Sequence, residues 1–241
     1  MNRDDAAERL FNPRPMISFV PLPGGRQVVV VDDVLLDPDG LVRWAARQRF
    51  QPPGFPYPGL IVAAPVDLSA RMLDFFTLHA RAALQARRTL EHEVRLSLVT
   101  TPPADLAPVQ WQCHRDRVSM DPAVVFVASV LYLFRDPALG GTSFYVPRQP
   151  AAATDRLVID SQALSAADFG ARYGLRAGYM DGSNAYFECV QRVPAAWNRM
   201  ILYDAGVFHS ADIGRPERLS ADAASGRLTA NGFFSCRRQA A

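Results

Sequence analysis

Apolar positions along this chain follow a mixed pattern early and a β pattern late. Ile17–Val20 and Val28–Val31 predict two strands around the turn Pro21-Leu22-Pro23-Gly24-Gly25. Asp37-Pro38 predicts a helix start, with Leu41, Trp44 and Ala45 at helical spacing behind it. Gln51–Gly59 carries four prolines and two glycines in nine residues and predicts an ordered loop. Leu68, Met72, Phe75, Phe76 and His79 then form one stripe, which predicts a long helix from about Leu68 to Arg88.

From Glu93 the period changes. Val94–Thr100, Val109–Asp116, Val124–Phe134, Thr142–Val146, Ala185–Val193, Arg199–Asp204 and Leu228–Cys236 all read as short strands separated by Gly and Pro. Many such strands predict a sandwich or barrel. A less regular insert, 148–180, contains a short helix capped near Ser165. With no internal repeat or clear linker, 1–241 is expected to be a single domain, 1–92 forming a helical and mixed support and 93–241 the β core.

Composition narrows the chemistry. At 49% hydrophobic and 21% charged residues, the 241-residue chain is of ordinary globular type. A net charge of +2 argues against a nucleic-acid partner, and the longest apolar runs are too short to span a membrane. No signal-type apolar segment follows Met1-Asn2-Arg3-Asp4-Asp5. Three cysteines (Cys113, Cys189, Cys236) without C-x-x-C spacing oppose a disulfide framework or thiolate zinc site. A cytoplasmic location is therefore expected, and oligomeric state is left open. All 26 basic residues are arginine. That excludes a lysine Schiff base, a P-loop lysine and a Ser-Lys dyad, and leaves arginine as the side chain to clamp an acidic cofactor.

The four histidines are unequal. His79 lies on the apolar helix face and reads as a packed core residue, and His92 beside Glu93 as an exposed one. His114 stands in Gln112-Cys113-His114-Arg115-Asp116, where strand geometry puts His114 and Asp116 on one face. His209, after Met200-Ile201-Leu202-Tyr203-Asp204, could complete a two-His, one-carboxylate facial triad of the non-heme Fe(II) type. H-x-D alone is a weak signal. His114-Arg115-Asp116 also copies a kinase H-R-D, but Asp121 stands where a kinase needs Asn, and the required lysine is missing.

The flanking segments add weight. They are Ala128-Ser129-Val130-Leu131-Tyr132-Leu133-Phe134, Leu139-Gly140-Gly141-Thr142-Ser143-Phe144-Tyr145, Asn198–Asp204, Val207-Phe208-His209-Ser210 and Gly226–Phe234. In this order, with Tyr57-Pro58-Gly59 before them, the chain resembles the 2-oxoglutarate/Fe(II)-dependent dioxygenases of prolyl-hydroxylase type. It looks closest to a bacterial family of unknown function within that superfamily, over roughly 27–236. The resemblance implies an α+β, mainly β fold: a double-stranded β-helix (jelly roll, cupin-like) with supporting N-terminal helices. It further implies His114, Asp116 and His209 as catalytic iron ligands, with Arg227 and Tyr132 binding the distal carboxylate of 2-oxoglutarate and Gly140-Gly141 as a tight turn before a core strand.

One spacing departs from the prolyl-hydroxylase pattern, in which the basic residue follows the distal His more closely. Arg227 is 18 positions beyond His209 and Arg218 is 9 beyond it. The apolar strand after Arg227 favours Arg227. The cofactors implied are Fe(II), 2-oxoglutarate as cosubstrate and dioxygen, and the reaction is hydroxylation of an unactivated C–H, because halogenases of the superfamily vacate the position that Asp116 fills. The substrate is expected to be a small metabolite, a natural product or a peptide side chain. Phe55, Tyr57, Trp111 and the 148–180 insert are candidate cleft linings or packing residues. Rival readings are a non-redox cupin-like metal enzyme, a metal-free β-domain binding module, and an Fe(II) oxygenase without 2-oxoglutarate. Succinate release separates the first reading from all three.

Overall fold

The computed structural model describes residues 10–54 and 56–239. Among these described residues, ten strands form two sheets. The larger has seven strands, built from β1 (Met16–Leu22), β2 (Arg26–Asp32), β3 (Gly59–Ala63), β4 (Ala86–Val99), β5 (Val124–Tyr132), β8 (Met200–Asp204) and β10 (Arg227–Arg238), in the order β1-β2-β8-β5-β10-β4-β3. The smaller contains β6 (Thr142–Pro147), β7 (Phe187–Val193) and β9 (Phe208–Ala211), in the order β7-β6-β9. His114 adds an isolated bridge to His209 at the edge of the smaller sheet. The pairings are antiparallel, and together they make the expected double-stranded β-helix.

Alternation along each strand divides the large sheet into two walls. Its outer wall (Val29, Leu96, Leu98, Val127, Leu202, Leu228, Phe234) packs on helix α2 (Val66–His79) through Leu68, Met72 and Phe76. The Phe76 and Phe234 rings stack with centroids 4.2 Å apart. Its inner wall (Val28, Val30, Ala128, Tyr132, Ile201, Tyr203) meets Phe144 and Val193 of the smaller sheet. The outer face of the smaller sheet is covered by α3 (Ala151–Ala163) and α4 (Ala166–Tyr173), with Trp111, Leu157 and Phe169 in that core. Helix α1 (Pro38–Ala45) starts where expected, capped by the Asp37 carboxylate accepting from the Gly40 amide.

Several expectations need correction. The stripe predicted a helix to Arg88, but α2 ends at His79, and Gln85 takes a left-handed φ of 56° before β4 begins at Ala86. Pairing with the long β10, out to Arg238↔Ala86, overrides the helical spacing of Ala82, Ala83 and Leu84. The β core thus starts before residue 93, and the N-terminal third also supplies three strands to the large sheet. The segment 109–116 is not a regular strand. A 3-10 turn at Pro108–Gln110 leads into a stretch held by single contacts: the Trp111 indole donates to the Leu106 carbonyl at 2.8 Å, and the Cys113 amide faces the Met180 sulfur at 3.2 Å. His79 is half-buried with its ring 4.6 Å from Phe75, and burial lowers its pKa. His92 is exposed, on β4 rather than at a junction.

Candidate metal centre and its inner wall

His114 and His209 exchange two backbone hydrogen bonds, at 2.9 and 2.8 Å. Directly opposed antiparallel residues project to the same side, so the two imidazoles meet with centroids 4.5 Å apart. Asp116, two residues beyond His114, shares that side, its amide anchored on the Ala205 carbonyl at 3.1 Å. One carboxylate oxygen lies 3.5 Å from His114 Nε2 and the other 3.4 Å from His209 Nε2. One ligand atom from each residue falls within 4.8 Å of the others. The alternation of an extended chain therefore assembles this cluster although 109–116 is no strand.

The protonation pattern fits a cation. His209 Nδ1 lies 2.9 Å from the Val207 carbonyl, an acceptor, so Nδ1 carries the proton and Nε2 presents its lone pair to Asp116. Burial is the largest influence on His209 and brings its pKa to about 4, keeping the ring neutral at pH 7. Burial pushes the Asp116 carboxyl upward, but His209, His114 and Arg95 outweigh it and hold the group at about 2. A lone pair aimed at a carboxylate oxygen is repulsive unless something positive lies between them. The His–Asp separations of 3.5 and 3.4 Å would let one ion be shared by all three side chains. Side-chain exposure runs from 7% at His209 through 20% at Asp116 to 51% at His114, so the cluster opens on the His114 side.

Inside the roll, on the inner wall of the large sheet, stands Arg227, 4% exposed. Its Nε donates to the Leu139 carbonyl at 2.9 Å, and its Nη2 to those of Gly140 and Gly141 at 3.2 and 2.9 Å. The guanidinium also lies over the Phe134 ring at 5.5 Å. Gly140 has a φ of 78°, and a Cβ there would collide with the Asp212 carbonyl, so the glycine pair is required for this cradle. Burial lowers the Arg227 pKa, and among the described residues no carboxylate pairs with it. The Tyr132 hydroxyl is 2.8 Å from Thr142 Oγ1, and burial raises its pKa to about 12. That one bond uses one of two hydroxyl protons. Arg218, by contrast, is half-exposed and ion-paired with Asp136 at 2.8 Å.

Some inner-wall residues escaped the motif reading. Positions two apart on β10 put Thr229 and Asn231 on the Arg227 face, and on β4 the same spacing puts Ser97 beside Arg95. Asn231 donates to Ser97 Oγ at 2.9 Å. The usable signal was alternation: R-x-T-x-N and R-x-S, polar against apolar, in strands otherwise built for a core. Tyr57 is half-buried near Arg227 and Arg95, whereas Trp111 lies in the core behind the smaller sheet and Phe55 lies outside the described residues.

The fold and the three-ligand cluster define a double-stranded β-helix protein with a candidate facial metal centre. The chain belongs to the family described as "Family of unknown function (DUF6445)", whose model matches residues 13–234. No curated protein matches it. Solved structures similar to it include HygX from Streptomyces hygroscopicus with nickel and 2-oxoglutarate bound (14% identity, 88% of this chain and 82% of that one, TM-score 0.44). They also include a Pseudomonas putida prolyl-4-hydroxylase (16%, 98% and 97%, TM-score 0.41). A third is EvdO2 from Micromonospora carbonacea var. aurantiaca (14%, 92% and 94%, TM-score 0.45). No helix among the described residues is long and apolar enough to cross a membrane.

Proposed function

We propose that this protein is a non-heme Fe(II)/2-oxoglutarate-dependent oxygenase that hydroxylates a C–H bond of a small molecule or a peptide side chain. The observation that carries the reading is the presence of two sites inside one roll: a His-Asp-His cluster at the edge of the smaller sheet whose Nε2 and carboxylate atoms converge, and on the large sheet a buried arginine with no carboxylate partner among the described residues. His114, Asp116 and His209 would hold the ion. Two imidazoles and one carboxylate on one side leave the opposite positions for other ligands. Fe(II) with bound 2-oxoglutarate supplies the oxidising chemistry, with dioxygen reduced and the cosubstrate decarboxylated to succinate.

The chain's own contribution is binding, orientation and exclusion of water. The Val207 carbonyl fixes the His209 tautomer, as an outer hydrogen-bond partner does for a metal-binding imidazole. A buried guanidinium without a counter-ion is unfavourable by several kcal/mol, and a bound dicarboxylate would relieve that cost. Tyr132 and Thr142 hold a further hydroxyl proton for the same carboxylate. Tyr203, with its ring 4.8 Å from His209, and Phe144 at 6.4 Å keep the metal side of the roll dry.

The test is anaerobic calorimetry with Mn(II), followed by turnover with Fe(II), 2-oxoglutarate and dioxygen. One Mn(II) should bind per chain, binding should be lost in His209→Ala, and succinate should form. Metal binding without succinate in the presence of candidate substrates points to the non-redox cupin-like enzyme. Absence of metal binding points to a binding module.

A further inference from the structure

Beyond the metal cluster, toward the open end of the roll, the inner wall changes character. Cross-strand register sets Glu93, Phe233 and Ala128 in one row and Glu91, Ser235 and Phe126 in the next row outward. Of these rows, Glu93, Phe233, Glu91, Ser235 and Phe126 line a cleft of about 370 Å³ that is also lined by Arg117 and Ala205. The Ala205 carbonyl is the acceptor for the Asp116 amide, so the cleft adjoins the candidate metal centre. The Phe233 and Phe126 rings each carry an arginine: Arg95 lies 4.5 Å over Phe233, and Arg117 lies 4.7 Å over Phe126.

The two arginines differ in what they face. Arg95 is paired with Glu93 at 3.5 Å. Arg117 makes no ion pair among the described residues. It stands on a ridge with Phe126, because both also line a second cleft of about 470 Å³ that has Arg26, Arg115 and Arg238 on its walls against Asp121 and Asp204. A guanidinium placed over a phenyl ring has five N–H groups and, without a carboxylate partner, keeps the capacity for a two-point bond to one. Glu91 on the opposite rim disfavours an anion there, so the two ends of the cleft are distinguishable.

We infer that the substrate is a small carboxylate with a flat apolar body, its body in the cleft bordered by Phe126 and Phe233 and its carboxylate held by Arg117. This inference rests on the oxygenase reading for the word substrate, but the binding itself needs no metal. The experiment titrates the metal-free full chain with 3-phenylpropionate and with its uncharged twin 3-phenylpropionamide, followed by NMR chemical shifts. The carboxylate should bind about tenfold more tightly than the amide, as for a charge-assisted bond near a surface. Arg117→Gln should abolish that preference, Arg117→Lys should keep part of it, and Arg215→Gln, in an exposed loop, should keep all of it. Equal binding of the two probes, or no binding at millimolar concentration, overturns the inference. So does a preference that survives Arg117→Gln, since the carboxylate would then lie elsewhere, Arg227 being the first alternative. Failure to bind Fe(II) or to release succinate would defeat the oxygenase reading while leaving these shifts in place.

Discussion

Strand β10 presents two surfaces that obey different rules. Leu228, Ala230 and Phe234 face outward into a core closed by α2, each essentially fully buried. Arg227, Thr229 and Asn231 face inward, Arg227 donating to backbone carbonyls and Asn231 to the Ser97 hydroxyl. The outer surface contributes stability through burial of apolar area. The inner surface contributes much less, because it buries polar groups that must each find a partner. A strand that holds one wall rigid through its other face is a suitable support for a binding site.

Substitutions on the two faces should separate these roles. Phe234→Ala removes a ring stacked on Phe76 from a sealed core and should cost about 3–5 kcal/mol of unfolding free energy, measured by chemical denaturation. Acid should have the next largest effect on the metal-free protein. His209 has a folded pKa of about 4 against an unfolded value near 6.5, so the unfolded state binds the extra proton first. Stability should therefore fall as pH drops from about 6.5 to about 4 and stop responding to this group below that. His209→Gln should flatten the slope of melting temperature against pH over that interval. Asn231→Ala, three residues from Phe234 but on the other face, gives up one hydrogen bond to Ser97 and should cost only about 1 kcal/mol. A loss as large as that of Phe234→Ala would mean that the inner wall is structural too.

The legible and illegible parts of the sequence divide along the same line. Strands with alternating apolar residues on a covered face (β2, β5, β8, β10) stand out because burial dictates their pattern, and their observed bounds lie close to those expected. The helix end at His79 was hidden because Ala82, Ala83 and Leu84 continue the helical spacing, and only the distant β10 decides that β4 begins at Ala86. His114 and Asp116 were found by an alternation argument that outlived its premise, since a single bridge sufficed to align them. Helix α3 went unread because its apolar stripe is weak, with Thr154, Asp160 and Ser161 among its buried residues. Arg95 and Arg117 were invisible one at a time, since only cross-strand register and the fold set them over Phe233 and Phe126.

The smallest effect is expected at Arg218. It pairs with Asp136 at the surface, and Arg218→Ala should change stability by less than about 0.5 kcal/mol and leave the inner wall untouched.

The central claim is that the cluster and Arg227 act as one receptor for metal and dicarboxylate. Anaerobic titration of the Fe(II)-loaded protein with 2-oxoglutarate, following the visible charge-transfer absorption, tests it most directly. A saturable band should appear in the wild type and persist unchanged in Arg218→Ala. In Arg227→Ala it should demand much more 2-oxoglutarate, corresponding to about 2–5 kcal/mol of lost affinity, while Fe(II) binding is retained. Absence of the band in the wild type, or equal affinity in Arg227→Ala, would contradict the account.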